Sequence, residues 1–186
     1  HLQELGEKKE AINLENLTKQ QIIDLIVKRA NKTAKGEWII ASGWDEAVFA
    51  NDYPDMVKLS NKTPNNPVVL IGLRGFGTMG NKLAFEKAGI TKKIKATDGG
   101  EILKDKKGNL KYILLNSAKN LLLDKVPKKT LAQQTRIMEY GFNELLKLGF
   151  TTTHHAGVAE NHMEVYEDLL QKNKLPMRVH AFIAAR

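Results

Sequence analysis

The sequence predicts an α/β protein, and three of its features carry that prediction. Short apolar runs of strand length occur at Trp38–Ser42 and Val68–Leu73. A polar turn at 105–109 separates two further strand-like segments, which is typical of a β-hairpin. Residues 127–186 alternate between helical and strand-like patterns, and this alternation favours parallel strands covered by helices. We therefore expect a mixed α+β section followed by βαβ pieces.

The mixed section begins with a helix and continues through strands punctuated by glycine. Thr18 and Gln21 form a capping box, after which apolar residues recur at helical spacing. The first apolar run is expected to stop at Gly43. The second runs into a glycine-rich turn, and Asn81 can then cap a further helix.

The later section has the clearest boundaries. Thr130 and Gln133 form a second capping box, which begins a long helix that stops at Gly149. We expect a strand over residues 150–156, a helix over residues 160–172 and a strand over Met177–Ile183. The apolar residues expected on the buried side of the long helix are Ile137, Tyr140, Leu145, Leu146 and Leu148.

Composition restricts the class of protein and its partners. The 186 residues include 42% hydrophobic residues and carry a net charge of +8, mostly from lysine. Scattered lysine pairs and only 6% aromatic residues favour a solvated surface over a nucleic-acid site, which usually uses arginine and stacking aromatics. The absence of cysteine excludes disulfides and thiolate-bound zinc. No apolar run approaches the ~20 residues that span a membrane. We expect no membrane partner, and the compartment stays open with the cytoplasm favoured.

The glycine-rich turn raises the alternative of a phosphate-binding loop. Gly75-x-Gly77-x-x-Gly80 fits the G-x-G-x-x-G pattern, in which phosphate approaches the N-terminus of the following helix. A dinucleotide site also needs an acidic residue at the end of the next strand. Asp98 has the right spacing, but residues 91–97 are lysine-rich and not strand-like. A plain glycine turn is favoured, and a non-enzymatic binding module for a phosphate-rich or polyanionic ligand stays as the second hypothesis.

Two adjacent histidines lie near the carboxyl end of the strand that follows the long helix. Side chains alternate faces along a strand, so His154 and His155 point to opposite sides and at most one can face a pocket. Functional groups of parallel α/β units collect at such strand ends. His162 is expected at the surface, and His180 on a sheet face or in the core. No H-x-H or H-E-x-x-H motif occurs, so no complete metal site can be written from this sequence.

Several short motifs keep a fixed order along nearly the whole chain. They are HL at 1–2, LG at 5–6, GEWII at 36–40, GWD at 43–45, PVVL at 67–70, GGEI at 99–102, GFTTTH at 149–154 and LPMRV at 175–179. In the same order they resemble motifs of the family-3 amidohydrolases, among them G-x-W-I-x-G-x-G-W-D, G-[VL]-T-S-V-H-D and L-P-L-R-V. These are metal-dependent hydrolases with a TIM-barrel core.

The resemblance implies a fragment of a longer enzyme. Residues 1–15 would follow the first barrel strand, residues 16–126 would form an inserted α/β domain, and residues 127–186 would supply part of the barrel. Such enzymes use a divalent metal, usually zinc, to generate hydroxide that attacks an amide or related non-peptide C–N bond. The substrate would be a small molecule, and assembly into a homo-oligomer stays open. The fragment alone is expected to hold no catalytic metal and to be inactive, because later strands would supply the remaining ligands.

The resemblance also implies roles for individual residues. His1 would be a metal ligand, as the second histidine of the family's H-x-H pair. His154 would be a catalytic residue at the barrel mouth near the metal. Trp44, Arg74 and Phe76 would contact the substrate. From the residues alone, Trp44 could equally pack at the edge of a core.

Two positions depart from the family pattern. Arg74-Gly75-Phe76 stands where the family often has D-G-H, and His155 stands where it has an aspartate. An arginine and an aromatic ring offer different contacts from an acid and a histidine. We therefore expect a substrate class that differs from the ordinary one, with an anionic substrate as one option.

Overall fold

The computed structural model describes residues 2–49, 53–96 and 98–184, and it shows a mixed α/β fold. The strands are β1 (Ile12–Asn13), β2 (Ile39–Trp44), β3 (Val68–Gly72), β4 (Gly77–Gly80), β5 (Gly100–Lys104), β6 (Leu110–Asn116), β7 (Thr152–Val158) and β8 (Arg178–Ile183). The helices are α1 (Leu2–Glu10), α2 (Lys19–Ala30), α3 (Glu46–Phe49), α4 (Met56–Lys62), α5 (Lys82–Lys87), α6 (Asn120–Leu123), α7 (Leu131–Lys147) and α8 (Glu160–Gln171). The predicted α/β class is confirmed. Across the described ranges, every helix is too short or too polar to cross a membrane.

The chain divides into two compact units. Ile12–Pro127 forms the larger one, called the central unit below. His1–Ala11 together with Lys128–Arg186 forms the smaller one, called the flanking unit. The first described helix, α1, therefore belongs to the same unit as the long helix α7. No helix was predicted within residues 1–15.

The central unit is built on one mixed sheet. Its six strands follow the order β1-β2-β3-β4-β6-β5, in which the first three are parallel and the others continue as antiparallel neighbours. The prediction that β2 stops at Gly43 was wrong, because the strand continues to Trp44 through a register shift. Gly43 has φ +103, and a Cβ atom there would lie 2.9 Å from Asn13 Oδ1. Glycine is thus required at this bulge.

Both faces of the central sheet are covered by side chains. Val68 and Leu70 of β3 pack in one core with Ile22 of α2. Val69 lies between them in the sequence and packs on the opposite face with Phe85 of α5. This alternation follows from the two-residue period of a strand, and it explains why the run at β3 is continuously apolar.

The hairpin of β5 and β6 forms as predicted. Asp105 Oδ1 accepts hydrogen bonds from the backbone N–H groups of Lys107 and Asn109, each at 2.8 Å. Gly108 adopts φ +80, which glycine tolerates without strain. The turn residues therefore satisfy their own backbone and fix the register of the two strands.

The flanking unit contains the predicted order of helix, strand, helix and strand. α7 begins with the capping box of Thr130 and Gln133, and α8 connects β7 to β8. β7 and β8 pair in parallel, as the helix between them requires. Buried apolar residues from three helices cover one face of this pair, among them Leu2, Met138, Phe142, Val165 and Leu169.

Two glycines allow α1 to lie directly against α7. A Cβ atom at Gly6 would lie 1.7 Å from the carbonyl oxygen of Ile137, and one at Gly141 would lie 2.2 Å from that of Leu2. The buried side of α7 consists of Gln134, Ile137, Met138, Gly141 and Phe142. The predicted apolar side of the helix was therefore right at Ile137 and at Leu145, which is partly buried against the same core. It was wrong at the exposed residues Tyr140, Leu146 and Leu148.

Candidate functional site

In the central unit, a cleft opens where the parallel strands end. It has a volume of about 500 Å³ and lies at the carboxyl ends of β1, β2 and β3. Ligands of open α/β sheets commonly bind at this edge. Residues that line it include Leu14, Glu15, Gly43, Asp45, Phe49 and Leu73. Sequence reasoning missed this cleft, because its walls come from the ends of separate strands.

Arg74 and Asp45 meet beside this cleft. Arg74 Nε lies 3.4 Å from Asp45 Oδ1, and the same oxygen accepts a hydrogen bond from the backbone N–H of Ala47 at 2.9 Å. The arginine side chain is 55% exposed, so the ion pair contributes little to stability. The pair nevertheless orients a guanidinium group at the rim, where a ligand could reach it.

Trp44 is placed in the core. It is fully buried, and its indole N–H donates a hydrogen bond to the carbonyl oxygen of Leu70 at 3.0 Å. Its ring contacts Phe49 and Tyr53 at centroid distances of 6.2 and 5.9 Å. A Cβ atom at Gly77 would lie 2.8 Å from this ring. The structure thus gives Trp44 a packing role, and its predicted contact with substrate stays a prediction.

The glycine-rich segment forms a β-hairpin. β4 pairs with β3 in antiparallel orientation, and α5 begins only after β4 has ended. Gly75 lies in the turn with φ +72, and the Lys119 ammonium group donates a hydrogen bond to its carbonyl oxygen. The βαβ unit that a dinucleotide fingerprint requires is therefore absent from this described segment. Phe76 is 61% exposed on the same turn, which leaves its ring accessible to a ligand.

His154 and His155 point to opposite faces of β7, as predicted. His154 is exposed, and it is the direct register partner of His180 on β8. The two ring centroids are 5.2 Å apart, and Phe182 contacts both rings at 5.6 and 4.8 Å. Sequence reasoning assigned no functional role to His180. Its place beside His154 could have been found only by knowing the register of β7 and β8.

His155 is buried on the opposite face. Its Nδ1 lies 2.5 Å from the Tyr166 hydroxyl oxygen, and the two groups share a hydrogen bond. Burial raises the pKa of the Tyr166 hydroxyl far above its ordinary value, so Tyr166 stays neutral. His155, which stands where the family has an aspartate, thus faces the helices of the flanking unit. The departure at His155 alters this buried contact and not the exposed face.

His162 was predicted at the surface, and this was wrong. It is 8% exposed, and its ring stacks on that of His155 at a centroid distance of 5.4 Å. Its Nδ1 accepts a hydrogen bond from the backbone N–H of Ala159 at 3.1 Å, which satisfies a free donor at the start of α8. Burial lowers the pKa of the His162 imidazole, while Glu7 opposes the shift and Lys129 adds to it.

The described residues do not complete a catalytic metal site. No group of three or more His, Asp or Glu side chains in residues 2–49, 53–96 and 98–184 could hold a metal ion. His1, the predicted ligand, lies outside the described residues. His154 and His180 offer two imidazoles, whereas a catalytic zinc usually has three protein ligands.

Comparisons with known proteins agree with the fold. The chain is 28% identical to putative amidohydrolase YtcJ of Bacillus subtilis (strain 168), over 98% of this chain and 36% of that protein. It is 23% identical to N-substituted formamide deformylase of Arthrobacter pascens, over 86% of this chain and 30% of that enzyme. The crystal structure of an uncharacterized metal-dependent hydrolase from Pyrococcus horikoshii OT3 superimposes with a TM-score of 0.69 at 18% identity, covering 98% of this chain and 35% of that one.

The chain thus spans about a third of the length of these relatives. The amidohydrolase family model matches residues 1–186, which is the whole chain. This match agrees with the ordered motifs and with the mixed α/β architecture. The protein belongs to the amidohydrolase family.

Proposed function

We propose that this chain is part of a metal-dependent hydrolase that cleaves an amide or related non-peptide C–N bond of a small molecule. The observation that carries the proposal is the match of the whole chain to the amidohydrolase family. The name of one relative, N-substituted formamide deformylase, supports a substrate with a non-peptide C–N bond. A divalent metal such as zinc supplies a water-derived nucleophile in hydrolases of this kind.

His154 is the proposed catalytic residue of the flanking unit. Its imidazole is exposed on the open face of β7, and the resemblance of residues 149–154 to the family motif that ends in histidine supports the role. The expected position at the carboxyl end of the strand was wrong, because β7 runs from Thr152 to Val158 and His154 is its third residue. Imidazole groups of this kind serve as general acids and bases in many enzymes. His155, its neighbour in sequence, is buried against Tyr166 and serves the packing of the unit.

Arg74 and Phe76 are the proposed substrate contacts of the central unit. Both side chains are exposed on the turn between β3 and β4, and Asp45 orients the guanidinium group. A guanidinium group binds carboxylate or carbonyl oxygens, and an exposed phenyl ring packs on apolar groups. These contacts favour a substrate that carries a negative or strongly polar group beside an apolar one.

The test compares the complete gene product with this 186-residue chain. We expect the complete gene product to contain about one or two divalent metal ions and to hydrolyse N-substituted formamides or N-acyl amines. Removal of metal with a chelator should abolish turnover, and zinc should restore it. The chain alone should be inactive, because its described residues supply too few metal ligands. A complete gene product without metal-dependent turnover on a panel of amides would overturn the proposal.

A further inference from the structure

His154 and His180 form a pair of exposed imidazoles on neighbouring parallel strands. They are direct register partners, and both side chains lie on the open face of the β7–β8 sheet. Within the part of the chain that the structure describes, no hydrogen bond engages either ring. Their nitrogen atoms are therefore available to an external ligand.

The spacing of the two rings matches that of a metal chelate. Their centroids are 5.2 Å apart, and the ring planes are inclined by 48°. Two imidazoles that bind one tetrahedral zinc ion at about 2.0–2.1 Å per nitrogen have ring centroids about 5 Å apart. The observed spacing thus allows one ion to be held by both rings without a change in strand register.

Phe182 holds the pair in place. Its ring contacts His154 at 5.6 Å and His180 at 4.8 Å. Backbone pairing fixes the positions of the two Cα atoms, and the phenyl ring restricts the rotation of the side chains. Both effects reduce the conformational entropy that would be lost on binding.

The surrounding charges select the class of ion. None of the residues in the paired rows is acidic. Arg178 lies two rows from His180, and its Nε donates a hydrogen bond to the Thr152 hydroxyl at 3.0 Å. Hard cations such as Mg²⁺ and Ca²⁺ bind mainly through carboxylates and carbonyl oxygens, and no carboxylate lies in these paired rows. Imidazole nitrogens suit zinc, nickel and copper.

We propose that His154 and His180 bind one divalent transition-metal ion, through one nitrogen each. The remaining coordination positions would take water or a small ligand, so the ion is exchangeable. The binding itself does not depend on the proposed hydrolase function. In an active hydrolase, however, an ion on His154 would withdraw that imidazole from catalysis, and excess zinc would then inhibit.

The binding test uses the 186-residue chain with ¹⁵N-labelled histidines. His1→Ala is introduced throughout, so that a further histidine cannot contribute a chelating group. On titration with zinc, we expect the ring signals of His154 and His180 to shift together with a single Kd. The signals of His155 and His162 should stay in place, because both rings are buried. Separate titration of the two exposed rings would overturn the proposal.

Single substitutions give the matched comparison. H154A and H180A should each weaken zinc binding more than about tenfold, because each converts a chelate into a single ligand. F182L alters the same face but removes no nitrogen, and should retain binding within a few-fold. Unchanged binding in either histidine variant would contradict the proposal, and dispersion of backbone NMR signals shows that each variant is folded.

Inhibition of turnover by zinc provides a second test, which uses the complete gene product. H180A should leave turnover at low zinc unchanged, and should raise the zinc concentration for half-inhibition more than about tenfold. If zinc inhibited H180A and the unmodified gene product at the same concentration, the predicted effect of the ion would be contradicted. If the complete gene product shows no hydrolase activity, the proposed function fails while the binding test still decides the metal site.

Discussion

The central sheet and the β7–β8 sheet differ in how their faces are used. Apolar cores cover both faces of the central sheet, whereas among the described residues the helices pack on one face of β7–β8. On the open face of β7–β8 lie His154, His180 and Phe182, all exposed. The central sheet thus holds a cleft at its strand ends, whereas the β7–β8 sheet leaves two imidazoles exposed on one face.

The largest predicted effect separates the two faces of the flanking unit. F142A removes a fully buried ring from its core, and we expect it to lower the free energy of unfolding by about 3–5 kcal/mol. F182A removes an exposed ring from the open face, and should change stability by no more than about 0.5 kcal/mol. Urea unfolding of both variants measures the contrast. Equal losses would show that the open face is packed in solution.

A similar contrast divides Trp44 from Phe76 in the central unit. W44A leaves a cavity and removes the hydrogen bond from the indole to the Leu70 carbonyl, so it should cost about 3–5 kcal/mol. F76A should leave stability within about 0.5 kcal/mol and raise KM in the complete gene product. Urea unfolding and steady-state kinetics give the two readouts. A stable W44A with a raised KM would restore the predicted substrate contact of Trp44.

Gly141 tests the close packing of α1 on α7. Alanine normally favours a helix over glycine by about 0.5–1 kcal/mol. Here its Cβ would meet the Leu2 carbonyl, so we expect G141A to destabilise by about 1–3 kcal/mol. N143A, at an exposed position of the same helix, should be neutral or slightly stabilising. Thermal unfolding of the two variants distinguishes packing from propensity, and a stabilised G141A would contradict the contact.

His162 should make the stability of the flanking unit depend on pH. Burial lowers the pKa of His162 in the folded state. Below about pH 6.5 the unfolded chain therefore binds a proton at His162 more readily than the folded chain does. Stability should therefore fall as the pH drops from 7 towards 5. H162Q keeps an acceptor for the Ala159 N–H but cannot titrate, so it should show a shallower decline. Urea unfolding of the unmodified protein and of H162Q at several pH values measures this decline. If the free energy of unfolding depended on pH identically in both proteins, His162 would be excluded as a source of the pH dependence.

Local signals predicted the elements that depend on neighbouring residues. The capping boxes at Thr18 and Thr130 marked the starts of α2 and α7, because the bonds involved span only three residues. Strand alternation placed His154 and His155 on opposite faces for the same reason. The hairpin at Asp105 was likewise visible in its turn residues.

Features made by distant residues could not be predicted. α1 was missed because its packing depends on Gly141, far along the chain. β4 was taken for a turn, because its strand character comes from pairing with β3 and β6. The burial of His162 and the pairing of His154 with His180 depend on how α8 and β8 pack. The cleft at Asp45 likewise required the strand order.

The most direct test of the division between the faces of β7 compares H154A with H155A in the complete gene product. We predict that H154A lowers kcat/KM at least about 100-fold and leaves the free energy of unfolding nearly unchanged. We predict that H155A lowers the free energy of unfolding by about 1–3 kcal/mol, because it breaks the buried contact with Tyr166, and leaves kcat/KM of the folded enzyme within a few-fold. Activity lost with H155A and retained with H154A would contradict the assignment of chemistry to the open face.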